Sequence, residues 1–110
     1  MSRRLRILAR AGADIDRIFD WLAGRSPQGA ANWYAALVAA VDRIAETPEQ
    51  FAVAAESLPR WNRDIHQALF KTARGRRYRL IFELTDTEVR ILRVRGPGQP
   101  PVRRRDLPGQ

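Results

Sequence analysis

Residues 76–95 read RRYRLIFELTDTEVRILRVR, and six of these twenty residues are arginine. Tyr78, Leu80, Phe82 and Leu84 alternate with Arg77, Arg79, Ile81 and Glu83, the period of two expected of a strand with one buried face. Thr85, Asp86, Thr87 and Glu88 interrupt the alternation with turn formers, and Val89 to Val94 resume it. The segment therefore reads as a β-hairpin. Pairing Leu84 with Val89 sets Phe82 against Ile91, Leu80 against Arg93 and Tyr78 against Arg95, with Glu83 against Arg90 and Arg79 against Val94 on the other face. In this register arginine gathers at the end of the hairpin remote from the turn. One arginine on a strand can simply solvate a face or blunt an edge; a cluster at one end suggests an anionic partner.

Working outward, residues 65–70 form a further strand before the hairpin, and residues 3–9 alternate Leu5, Ile7 and Ala9 with Arg4, Arg6 and Leu8 as a first strand at a sheet edge. Between them, Ile15, Ile18, Phe19 and Leu22 recur at helical spacing, giving a helix over 14–23 that Gly24 stops. Ser26 and Pro27 are an N-cap and first-turn pair. They open a helix of about twenty residues whose stripe is Ala30, Trp33, Tyr34, Leu37, Val38, Val41 and Ile44, ended by Thr47 and Pro48. Two helices so closely joined fold back antiparallel and need a sheet to cover their apolar stripes. Residues 50–63 lack a period and connect the second helix to the sheet, with a possible helical turn at 52–55. The expectation is an α+β fold in the order β-α-α-β-β-β, an antiparallel helical hairpin on a small, mostly antiparallel sheet. Residues 1–95 make one domain, and 96–110, rich in Gly, Pro and Arg, read as a flexible basic tail.

The chain of 110 residues carries 20 basic and 12 acidic side chains and no cysteine. Nineteen of the basic residues are arginine, the planar cation suited to phosphate, carboxylate and aromatic partners. Residues 66–110 hold eleven basic and four acidic side chains, a net +7, against nine and eight, +1, for residues 1–65. An anionic partner is thus expected at the C-terminal half. Without cysteine there is no disulfide and no thiolate nucleophile, and one histidine, His66, cannot build a metal site. No metal or cofactor is expected. No apolar run spans a bilayer and no signal peptide is legible, which points to a cytoplasmic protein.

DIDRIFDWLA in the first helix, ANWYAALVAAVDRI running to ETPEQF in the second, and YRLIFEL followed by VRILRVR resemble the RelE/ParE superfamily of toxins from bacterial type II toxin–antitoxin, or plasmid stabilisation, systems. The resemblance spans residues 3–96 and rests on order and spacing. It implies a cognate antitoxin that wraps the toxin in a hetero-oligomer and covers the helical hairpin and sheet edges, with Trp21 and Trp33 as candidate contacts, Trp33 also fitting the core. It also implies one of two activities. RelE-like members cut mRNA on the ribosome; by that comparison Arg79 and Arg95 would hold phosphate. The positions where such members place an aromatic and a histidine are here Gly96, Pro97 and Gly98.

Cleaving an RNA backbone requires a group that takes a proton and one that gives a proton. Arginine stabilises phosphorane charge but shuttles protons poorly, leaving His66, Glu83 and Tyr78 as candidates. Tyr78 shares a face with core residues, Glu83 pairs most simply with Arg90, and a lone histidine at a strand start more often caps than catalyses. ParE-like members instead inhibit DNA gyrase and need no proton-transfer group, which suits this residue set. On that reading Arg77, Arg79, Arg93 and Arg95 form a target-binding surface and the chain is not an enzyme. A third reading is a basic nucleic-acid-binding module, which lacks an exposed aromatic platform.

Overall fold

The structure is a computed structural model that describes residues 3–54, 63–99, 102, 103 and 107. Its elements are β1 (Arg4–Ile7), α1 (Ala9–Arg25), α2 (Pro27–Glu46), a 3-10 turn at Pro48–Gln50, β2 (Ile65–Phe70), β3 (Tyr78–Leu84) and β4 (Glu88–Arg95). The sheet runs β1-β4-β3-β2, with β1 parallel to β4 and the other pairs antiparallel. This is the expected α+β order, with β1 at an edge.

The helices follow from local chemistry, with one revision. α1 begins at Ala9, five residues before the expected start at 14, because Ala9–Ala13 contains good helix formers and Ala11 is fully buried. Gly24 lies within α1 rather than after it. Ser26 alone separates the helices: its N–H bonds to Leu22 O at 2.8 Å, and its Oγ accepts the Gly29 N–H at 3.0 Å. One residue thus closes α1 and caps α2. In α2 the buried stripe is Ala30, Trp33, Leu37, Ala40, Val41 and Ile44; Tyr34 and Val38, expected in it, are 49% and 43% exposed. Phe19 of α1 meets the Tyr34 ring edge-on at 6.1 Å, so both close the outer seam of the hairpin.

The helical hairpin covers one face of the sheet through Leu80, Phe82, Val89, Ile91 and Val94. Each such side chain contributes about 1.5–3 kcal/mol relative to exposure. The opposite face is also partly buried, where the alternation implied a single buried face: Ile65, Ile81 and Leu92 pack with Ala54, Val102 and Leu107. Two apolar residues from beyond β4 therefore lie against the sheet. Residues 52–54 are extended, not helical, and pair along the outer edge of β2 through Ala54 N–H to Ile65 O and Gln67 N–H to Ala52 O. Of the proposed connecting segment, residues 55–62 lie outside the described residues, as does most of the proposed tail.

The β3–β4 register departs from the sequence expectation beyond Phe82–Ile91. A β-bulge makes Leu92 an extra residue, so Ile81 opposes Arg93, Leu80 opposes Val94, and Arg79 opposes Arg95. Unbroken alternation would set Arg93 beside Leu80 in the apolar layer under the helices, a costly place for a guanidinium. The bulge puts Val94 there instead.

Candidate functional site

The bulge organises two sites of opposite character. At the first, β1 stops pairing with β4 at Ile91, and α1 packs where the edge of β4 continues. Asp14 fills that edge. Its Oδ2 accepts the Val94 N–H at 3.0 Å and Arg93 Nε at 2.7 Å, and its Oδ1 accepts Arg93 Nη2 at 3.0 Å and Arg17 Nη1 at 3.2 Å. Asp14 is 1% exposed. Burial pushes its carboxyl up, but the Arg93 guanidinium, the Val94 N–H and Arg17 outweigh burial and hold it below the usual aspartate range. Arg93, a sequence candidate for target binding, is thus committed to a buried ion pair.

The second site is the arginine-rich end of the hairpin. Arg79 and Arg95 face each other across the β3–β4 ladder, and Arg76 and Arg77 lead into β3. Like charges directly opposite in a sheet are unfavourable. Arg79 is steadied by Gln67, whose Oε1 accepts its Nε–H at 2.9 Å. Arg77 is exposed and shares a shallow hollow with Arg43 and Lys71, where α2 passes the end of β2. Of the four target-binding candidates, the structure groups Arg77, Arg79 and Arg95 at this end and draws Arg93 toward α1.

His66 and Glu83 sit elsewhere and are engaged. The His66 ring is 7% exposed and stacks on Phe82 at 5.6 Å. Its Nδ1 lies 3.0 Å from Phe51 O and its Nε2 2.7 Å from Asp64 Oδ1, so both nitrogens have acceptors as partners. Glu83 takes two hydrogen bonds from Arg63, at 2.9 Å from Nε and 2.8 Å from Nη2, with Arg90 more distant at 3.9 Å. Arg63 rather than Arg90 is its principal partner. Hydrogen bonding to Glu83 raises the Arg63 pKa despite burial. Tyr78 lies 5.6 Å from Trp33, and burial pushes its hydroxyl up, with the Arg76 charge acting the other way. Among the described residues no group of three or more His, Asp or Glu side chains is placed to hold a metal.

A cleft of about 950 Å3 opens beside Arg76 and Tyr78. α1 lines it with Trp21, α2 with Trp33, the β2–β3 loop with residues 72–76, and the chain after β4 with Gly96 and Pro97. Trp33 is 2% exposed, in keeping with its core position, while Trp21 is 58% exposed and carries Arg25 4.6 Å above its ring. The sequence reading missed this cleft, because its walls come from five separate segments: α1, α2, the β2–β3 loop, β3 and the chain after β4.

The fold is shared with a solved structure described as the chromosomal ParDE TA system from P. aeruginosa, at a TM-score of 0.66 and 21% identity, covering 86% of this chain and 95% of that one. No curated protein matches the chain. The sequence model of the family described as ParE toxin of type II toxin-antitoxin system, parDE, matches residues 5–99. That span runs from β1 through the bulged hairpin to the wall of the cleft, and on it the chain belongs to the ParE toxin family of type II toxin–antitoxin systems.

Proposed function

We infer that this toxin arrests growth by binding DNA gyrase through the arginine-rich end of its hairpin and that a cognate antitoxin neutralises it in a hetero-oligomer. The observation that carries the reading is the register that sets Arg79 opposite Arg95 beside Arg76 and Arg77. The register brings two arginines to opposite positions of one ladder, and such a basic end suits bidentate pairing with a partner's carboxylates or phosphates. Arg93, two residues before Arg95 on β4, is held by its pair with Asp14.

The alternative, a ribosome-dependent mRNA endonuclease using Arg79 and Arg95 with His66 or Glu83, gains little support from the geometry. Both proton-transfer candidates are buried and hydrogen-bonded, and Gly96, Pro97 and Gly98 offer none in their place. A site that only binds suits a cytoplasmic inhibitor that is not itself an enzyme, and no helix among the described residues is long and apolar enough to cross a membrane.

Pulse-labelling after induction of the chain without its antitoxin tests the reading. An early fall in DNA synthesis is expected. An early fall in protein synthesis, with transcripts cut in phase with codons, would overturn it in favour of the nuclease.

A further inference from the structure

The cleft between the helical hairpin and the β2–β3 loop is larger than packing defects allow, since protein interiors leave few voids bigger than a water molecule. Its volume, about 950 Å3, is in the range of pockets that bury a small organic ligand. Three aromatic residues from three elements, Trp21, Trp33 and Tyr78, give it an apolar wall. Trp33 is 2% exposed and its indole N–H has no acceptor among the described residues, so its resonance is a reporter free of a competing protein hydrogen bond.

The rim supplies the charge. Arg74 and Arg76 are exposed on the β2–β3 loop and make no hydrogen bond or ion pair among the described residues, unlike Arg79 and Arg93. Arg17, the third cation at the rim, is already bound to Asp14. An apolar wall with two exposed guanidiniums at its rim asks for one kind of molecule.

We propose that this cleft is a binding site for an amphipathic anion, an aromatic or branched apolar body bearing a carboxylate. The apolar body lies against Trp21, Trp33 and Tyr78, and the carboxylate lies toward Arg74 and Arg76. This site goes beyond gyrase binding: Arg79 and Arg95 do not line the cleft, and Arg76 alone is shared with the target-binding end. A ligand there would nonetheless touch Gly96 and Pro97, the residues that follow the arginine-rich end of β4.

The test uses the full chain, made in a cell-free system to avoid its toxicity and labelled with nitrogen-15, with indole-3-acetate as the probe. The chain has three tryptophans and therefore three indole N–H resonances, and Trp33→Phe identifies the one that matters. A saturable shift of the Trp33 resonance is expected with the acid, weakened at least tenfold with indole-3-acetamide and absent with tryptamine. Arg74→Glu combined with Arg76→Glu, both at exposed positions, should leave the spectrum dispersed yet weaken the acid at least tenfold. Absence of saturable binding, equal binding of acid, amide and amine, or undiminished binding by the folded double variant would each overturn the proposal.

Discussion

Asp14 and Arg93, 79 residues apart in sequence, meet in a two-pronged ion pair that ties α1 to the bulged stretch of β4, with the Val94 N–H as a third contact to the same carboxylate. An acidic residue in a helix has become the terminal partner of a sheet edge. Its side chain satisfies a strand N–H that β1 is too short to reach, and the guanidinium offsets the cost of burying the charge.

Removing either partner should unfold the protein more readily. Asp14→Ala removes Arg93's carboxylate partner and leaves the Val94 N–H without its acceptor, so a loss of about 3 kcal/mol is expected, read as the shift in urea midpoint. Arg93→Ala should cost a comparable amount, and the double variant less than the sum, since the two residues act as one unit. If Arg93→Ala also abolishes growth arrest, its lowered stability will account for part of that loss.

Acid should weaken the same contact. The folded Asp14 carboxyl is held below its unfolded value of about 3.9, so its contribution is complete above that pH and is lost as pH falls through the depressed folded pKa. Urea midpoints measured between about pH 2 and pH 7 should decline at the acid end. In Asp14→Asn that decline should be shallower, the starting stability being lower throughout.

The hairpin, both helices and the order of elements along the chain were legible because each has a clear hydrophobic period; the parallel pairing of β1 with β4 was not. The bulge was not read, although its trace is in the letters: Val89 and Ile91 hold odd positions, Leu92 is also apolar, and Val94 resumes on an even one. A shift of parity within a strand marks an inserted residue, and reading it would have set Arg79 opposite Arg95 at once. In the sequence Asp14 is only the first residue of the expected helix over 14–23. Nothing local reveals that its partner lies on the last strand. The second buried face was signalled only by Ile81 and Leu92 among polar neighbours, and its cover comes from Val102 and Leu107 in a segment without periodicity.

His66 and Glu83 should matter for stability rather than for toxicity. Glu83→Gln breaks a pair whose side chains are 7% and 8% exposed, so a loss of about 3 kcal/mol is expected. His66→Gln should lose about 1–3 kcal/mol through its two hydrogen bonds. At a temperature where each variant remains folded, growth arrest on induction should persist. A folded His66→Gln variant without toxicity would return that residue to the mechanism.

The gyrase reading is tested most directly with purified gyrase, supercoiled plasmid and toxin from cell-free synthesis, comparing the natural chain with Arg79→Ala/Arg95→Ala. The natural chain should inhibit gyrase in proportion to its concentration. The double variant, with its thermal midpoint lowered by no more than a few degrees, should be at least tenfold weaker. Gyrase left untouched by the natural chain, or inhibited equally by the folded double variant, would contradict the account.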